Sequence, residues 1–554
     1  MSYFDDASLA FLPSGAAGKD GKAYSIKPTD GTGDFTFSRG SNLAATRVGA
    51  DGLIEKGREN LLLQSNTFSD ASWTKVSLTL AGGQSGYDGS SDAWLMTKSI
   101  VNNYVGLRRN GISITGVSTF SFYAKSGATN FVMAELGGNG ARWFDLTNGS
   151  SPTGFGSGIL SYSSQDVGNG WYRCSITTKG SNAISTVNLY VMATSGATTT
   201  AGSFYLQDAQ LEVGLAATEY IESGATKGTA GILENTPRFD YSNGASCPSL
   251  LLEPSRTQLV RQSEYFQSSH WTKDSNTTLT TNAAISPDGS QNATRFESSS
   301  AVSGMFSYGV VGNKTISIYI KAGDTGNIGK SMRLYTTEAA GDFVLTNDWQ
   351  RISLTGNASN LFALYPSAAN GFTSAFIWGA QGEAASYPTS YIPNHSGGTI
   401  TRAAEGVANQ SIPNTPSLWS CLIDIDFSKM SLVNNKTFFN TTTTTGAMSW
   451  RFFNKSGAQV ISPFFETSAS YPFEPDIDNN RTDGRVLLRH NGGGSYTYFR
   501  SYLGVVTQTT ATGLTETDLN QINFNGNDVK WASSQILVFP TALSDAECIE
   551  LTTI

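Results

Sequence analysis

The segment Gln64-Ser65-Asn66-Thr67-Phe68-Ser69-Asp70-Ala71-Ser72-Trp73-Thr74-Lys75 returns as Gln262-Ser263-Glu264-Tyr265-Phe266-Gln267-Ser268-Ser269-His270-Trp271-Thr272-Lys273, at a constant separation of 198 residues. A chain that repeats itself at this length must fold the two stretches alike, so the repeat constrains the architecture before any single residue does. The correspondence continues. Asp88-Gly89-Ser90 is matched by Asp288-Gly289-Ser290, and Thr119–Lys125 by Thr315–Lys321. Trp171-Tyr172-Arg173 is matched by Trp349-Gln350-Arg351, and Gln210-Leu211-Glu212 by Gln381-Gly382-Glu383. The separation falls to 178 at Trp171/Trp349 and 171 at Tyr220/Tyr391. The second copy is therefore shorter, its deletions falling in the loops between shared strands. The reading is two related modules, 60–222 and 258–394.

Charged residues make up 14% of the chain and glycine numbers 58, a balance that favours short strands and tight turns over charge-rich helices. Period-two runs such as Phe35-Thr36-Phe37-Ser38 and Cys421–Phe427, and strand-like runs such as Ser118–Ala124 and Val187–Met192 between Gly- and Ser-rich turns, support that choice. The expected fold class is all-β, with tandem β-sandwich or jelly-roll modules and a C-terminal lectin-like β-sandwich. The expected division is an N-terminal attachment segment 1–59, module one at 60–222, a connector 223–257, module two at 258–394, a connector 395–416 and a last domain 417–554. Ser544 and Glu547 are spaced as a capping box for one short terminal helix. A net charge of −8 argues against a nucleic-acid partner, and no apolar run is long enough to insert into a membrane. The start of the chain does not read as a secretory signal. Cys174, Cys247, Cys421 and Cys548 have no metal-like spacing and read as buried free thiols, which suits synthesis in a reducing cytoplasm.

The Trp73/Trp271 segments, the Trp171/Trp349 strands and the Gln-x-Glu closes resemble the jelly-roll carbohydrate-binding modules found in bacteriophage structural proteins. Several phrases are similar to linker phrases of phage fibre proteins. They are Phe35–Arg39, Ala45–Val48, Asp51–Glu55, Pro237–Tyr241, Leu251–Thr257 and Thr401–Ala404. In such relatives an Arg-Thr pair precedes Asn-Leu; here Gln258 stands in the Asn place, and module one is inserted between Glu55 and Pro237. Val538–Glu547 carries a resemblance to concanavalin-A-like (laminin-G-type) domains. The resemblance implies a virion fibre or appendage protein, displayed on the virion surface. Its N-terminus would attach to other virion proteins, it would adhere to host surface polysaccharide, and it would be a homotrimer. It also implies that a structural calcium could use Asp88 and Asp288, although an Asp-Gly-Ser turn needs no ion; no other cofactor is expected.

Catalysis is poorly served. His270, His395 and His490 read as exposed polar residues without a nucleophile, and neither a zinc spacing nor a phosphate loop is present. Glycoside hydrolysis needs two carboxylates across a cleft, and the pairs Asp424/Asp426 and Asp476/Asp478 read instead as strand or turn residues. The chain is read as no enzyme. Glu212 and Glu383 are expected to anchor the closing strands by hydrogen bonds, and the repeated tryptophans to pack in cores. For sugar binding, the candidate residues are Trp450, Arg451, Asn454, Tyr496, Tyr498 and Arg500, because their strands carry aromatics on both faces and one set must face out unless another chain covers it. A purely structural decoration protein and a polysaccharide depolymerase remain as alternatives.

Overall fold

The structure is a computed structural model describing residues 3–13, 18–19, 21–40, 43–98, 105–194, 201–301, 303–367, 373–412, 417–426, 436–442, 447–455, 458–465, 472–473, 484–502, 505–515, 519–525 and 530–553. It is nearly all β, in antiparallel sheets, with helices confined to short pieces such as Tyr3–Asp6 and Asp545–Thr552.

Module one packs two six-stranded sheets face to face. One centres on Ser118–Ser126 between Trp171–Thr178 and Gly202–Val213; the other on Phe131–Leu136 and Val187–Met192. Alternation directs Phe120, Phe122, Val132, Ala134, Leu189 and Val191 into the core between them. Module two reaches the same form with fewer strands. Met305–Ala322 and Gln350–Pro366 are long enough to run through both halves of one bent sheet, and the pairing shifts register between Tyr308 and Val311.

The repeat is a repeat of hydrogen bonds. Trp73 and Trp271 are buried, and their indole nitrogens donate to the carbonyls of Gln64 and Gln262 at 2.9 and 3.1 Å. Glu212 accepts from the backbone N–H and hydroxyl of Thr218, and Glu383 likewise from Thr389. Gln210 and Gln381 accept from Ile221 N and Ile392 N, each at 2.7 Å. Both glutamates thus hold the strand-return segment, as expected from their recurrence. Gln258 does the work of Asn60. Each side-chain amide donates to two carbonyls (Ala209 and Ile221; Ala380 and Ile392) and accepts from two backbone N–H groups.

The division of the rest of the chain needs correcting. Residues 1–59 are not structurally separate from the last domain, and the connectors 223–257 and 395–416 are not mere links: all three supply strands to that domain. Leu9–Phe11 and Ser249–Leu252 pair end to end along one edge of Trp531–Phe539. Phe35–Ser38 pairs with Gly406–Ser411, which pairs with Gln521–Asn525. The two sheets so completed, each of eight strands, enclose one core that includes Phe11, Phe35, Phe239, Leu252, Val407, Trp419 and Trp531. A segment too poor in apolar residues to close its own core satisfies its backbone by joining sheets that offer it an edge.

These segments converge on a buried ionic knot. Arg39, Arg238, Arg402, Glu253 and Glu405 are all fully buried. Arg238 donates to Glu405 at 2.7 Å and to Glu253 at 2.9 Å; Arg39 reaches Glu405 and Arg402 reaches Glu253, both at 2.9 Å. Arg238 also donates to the Thr46 carbonyl and to Ser390 of module two, and Lys530 stands 3.6 Å from Glu253. The knot therefore ties the N-terminal segment, both connectors, module two and the last domain. From the hairpin Thr46–Val48/Ile54–Lys56, Ile54 packs on Ala293, Trp378 and Tyr391 of module two.

Candidate functional site

Of the six sugar-binding residues expected in the last domain, three are core. Trp450, Tyr496 and Tyr498 lie between the sheets, and the Tyr498 hydroxyl donates to the Ile461 carbonyl at 3.2 Å. Arg500 continues their inward row at the strand end and is buried, its Nε 3.2 Å from Thr507 Oγ1. Arg451 is half-buried, with its guanidinium 3.9 Å over the Phe464 ring, and the Asn454 side chain lies outside the described residues. No further chain is needed to cover the outward row of the Ser495–Tyr502 strand. Phe499, with Leu422, Leu487, Leu537 and Phe539, packs under Cys548 and Leu551 of the terminal helix and under Ala7 and Ala10. Ser544 and Glu547 form the capping box that starts this helix.

The histidines also need correcting: His395 packs between the modules and is mostly buried, and His490 is buried against Tyr496, rings 4.6 Å apart. Of the thiols, Cys247 is exposed and the other three are buried. Asp424 pairs with Arg485 at 3.0 Å, and Asp476 and Asp478 lie outside the described residues. Asp88 and Asp288 each accept from the backbone N–H of the serine two residues on, the expected turn. In module two Lys56 adds its ammonium at 2.6 Å to Asp288 and 3.8 Å to Glu264. That pairing holds the Asp288 carboxyl at about 2, despite burial that opposes ionisation. Among the described residues no group of three or more His, Cys, Asp or Glu is placed to hold a metal ion, and no helix is long and apolar enough to cross a membrane.

A solvent-facing group of aromatics lies on module two. Met305, Phe362, Met332 and Leu334 point into the core, so alternation turns Phe306, Tyr308, Ala363, Tyr365 and Tyr335 outward. Cross-strand pairing sets Phe306 and Tyr335 on either side of Ala363. The small alanine between large rings leaves a cleft of about 320 Å³, lined by Phe306, Tyr308, Tyr335, Leu361, Ala363 and Tyr365, with Asp274 at its side. Tyr308 is 60% exposed, and the ring pairs Phe306/Tyr308 and Tyr335/Tyr365 lie 5.5 and 6.1 Å apart. Gly304 is required beneath Tyr365, since a Cβ there would lie 2.1 Å from the Leu364 carbonyl oxygen. Arg333, opposite Tyr365, is held in a two-point pair with Asp342, both contacts at 2.6 Å. Asp274 accepts from Gly304 N at 2.8 Å. The polar groups around the cleft are thus fixed, and its floor offers flat apolar rings.

Module one carries different chemistry at the same positions. Gly106 and Tyr190 correspond to Gly304 and Tyr365, but Arg108, Asn188 and Glu135 stand where module two has Phe306, Ala363 and Tyr335. They form a hydrogen-bonded chain: Arg108 to Asn188 at 2.8 Å, Asn188 to Glu135 at 3.0 Å, and Tyr190 to Glu135 at 2.9 Å. The copies therefore share their cores and differ on this face, as expected where a surface, rather than packing, sets the residue. The sequence reading passed over these residues because three separate strands bring them together. The available signal was the outward parity of Phe306 and Tyr308 next to a buried Met305.

No family model and no curated protein matches the sequence. Among solved structures, the chain is similar to the exoplasmic/lumenal domain of VIP36 in its Ca2+/Man3GlcNAc-bound form, at 13% identity, covering 27% of this chain and 80% of that one, with a TM-score of 0.19. It is also similar to the CBM22-1-CBM22-2 tandem domain of Paenibacillus barcinonensis Xyn10C, at 12% identity over 57% of this chain and 94% of that one, TM-score 0.18. A third similarity is to a mutant of the GH43 protein BlXynB from Bacillus licheniformis, at 8% identity over 85% and 98%, TM-score 0.19. Likenesses this distant assign no activity to the chain.

Proposed function

We propose that this chain is a non-enzymatic glycan-binding adhesin, and that module two carries its binding face. The observation that carries the reading is the solvent-facing cleft of Phe306, Tyr308, Tyr335 and Tyr365. Exposed rings on a rigid sheet offer an apolar platform to the C–H faces of sugar rings, while tyrosine hydroxyls at the rim bond to their hydroxyls. The linker phrases and paired modules fit a bacteriophage virion fibre or appendage working as a homotrimer. Weak contacts at single sites would then add through multivalency. The test is a glycan array and a host-cell binding assay on the full chain, with light scattering for its mass. Binding that is lost in Tyr335→Ala, by a trimer, supports the reading. A folded oligomer that binds neither glycans nor cells refutes it and leaves a structural decoration.

A further inference from the structure

The buried knot is short of negative charge. Arg39, Arg238, Arg402 and Lys530 gather around two carboxylates, Glu253 and Glu405, and the next carboxylate whose field reaches them is Glu383, acting on Arg402. Beside the knot lies a pocket of about 250 Å³, walled by the hairpin, the first connector, module two and the last domain. Three of the charged residues lining it are cations, Arg47, Arg351 and Lys530, and one is a carboxylate, Asp240.

The partners of these groups decide what the pocket can hold. Arg47 is paired with Glu55. Asp240 is turned to donors already, accepting from Val48 N, Ser242 N and Ser242 Oγ. Ser390 Oγ is likewise taken, by Arg238, Arg402 and Glu253. Arg351 donates to the Thr389 carbonyl and to Ser317 Oγ, with no carboxylate in ion-pair reach among the described residues. The Lys530 ammonium stands 3.6 Å from Glu253, its side chain 20% exposed, and makes no hydrogen bond among the described residues. The Tyr319 hydroxyl, whose ring lies 5.6 Å from the Arg351 guanidinium, also has no hydrogen-bond partner there. Neither atom is sealed off, so both keep surface open where they line the pocket. The unused groups are thus donors, one of them cationic, and the nearby acceptors are spent. An oxyanion matches that set, because charge-assisted hydrogen bonds from ammonium and hydroxyl groups are the strong ones.

We propose that this pocket binds an oxyanion, a carboxylate, phosphate or sulfate group, held by Lys530 and Tyr319 beside Arg351. Lys530 comes from the last domain and Tyr319 from module two, so the anion fastens the joint between them. The site shares no residue with the aromatic cleft.

The experiment melts the full chain at constant ionic strength, set with chloride, while phosphate, sulfate or glucuronate is added up to about 20 mM. The expected result is a saturable rise in melting temperature with an apparent Kd on the order of 1 mM for at least one of the three. General salting by phosphate or sulfate is weak at such concentrations and does not saturate. Lys530→Met should abolish the rise, and Tyr319→Phe, which keeps the ring, should weaken binding about tenfold; Tyr308→Ala in the cleft should leave it unchanged. Glucuronate binding about tenfold tighter than phosphate and sulfate identifies the occupant as an acidic sugar residue, and the reverse order identifies a free ion. No saturable rise with any of the three, or a full rise retained by Lys530→Met or by Tyr319→Phe, would overturn the proposal.

Discussion

Replacing Arg238 by methionine should loosen the joint that holds the chain's segments together. In the native protein Arg238 donates to Glu253, Glu405, the Thr46 carbonyl and Ser390, all in a fully buried setting. Removing one member of a buried ion pair typically costs 3–5 kcal/mol, because the partner charge stays buried. Here Arg39 still serves Glu405 and Arg402 still serves Glu253, so the lower end, roughly 3 kcal/mol, is expected. The loss carries a pH signature. Burial opposes ionisation of Glu253, but Arg402, Arg238 and Lys530 overcome it and hold its pKa well below the ordinary carboxylate range. A depressed folded-state pKa contributes stability that is fully present above the unfolded value of about 4.3 and is lost as pH falls below it. The gap between wild type and Arg238→Met should therefore narrow below about pH 4. Urea unfolding across pH reads the free energy, and hydrogen exchange should show faster opening of the hairpin and of residues 389–392. A change under about 1 kcal/mol with no pH dependence would refute the argument that this knot couples the segments.

Other consequences follow from the same geometry. Asn60→Ala and Gln258→Ala each strip four hydrogen bonds from a buried return segment, and should cost on the order of 2–4 kcal/mol by chemical denaturation. Gln258→Asn should fall short of its partners and rescue little. Lys56→Met leaves Asp288 and Glu264 buried without their cation. With Asp288 held at about 2 when folded against about 3.9 unfolded, on the order of 2 kcal/mol of its stability is present above pH 4 and fades toward pH 2; the variant should lack that acid-labile part in pH-dependent melting. A native-state thiol assay should label Cys247 alone, since burial pushes the Cys174 and Cys421 thiols up to about 12 and Cys548 to about 11, and denaturant should expose all four.

What was legible in the sequence is what repeats or alternates locally. The module cores, the Gln-x-Glu anchors and the Ser544–Glu547 cap follow from residues close in the chain or duplicated in it. The linker phrases stood out as phrases, but their charges gained meaning only when Arg39, Arg238, Glu253, Arg402 and Glu405 met in one buried knot. The pairing of Leu9–Phe11 with Trp531–Phe539 was hidden because it joins the two ends of the chain, which no local pattern encodes. Trp450, Tyr496 and Tyr498 misled for a definite reason. Their strands have aromatics on both faces, and the choice of face depended on the terminal helix that covers Phe499. The module-two cleft was missed because its rings come from separate strands and its depth depends on one small residue, Ala363.

The central claim is that the module-two cleft binds a glycan, and the most direct measurement is calorimetry of the full chain with host surface polysaccharide, compared with Tyr308→Ala and Tyr365→Ala. Each ring removed from the platform should cost about 1–2 kcal/mol, near tenfold in Kd, while the melting temperature of the solvent-facing Tyr308→Ala stays unchanged. Polysaccharide binding by both variants with wild-type affinity would contradict the account.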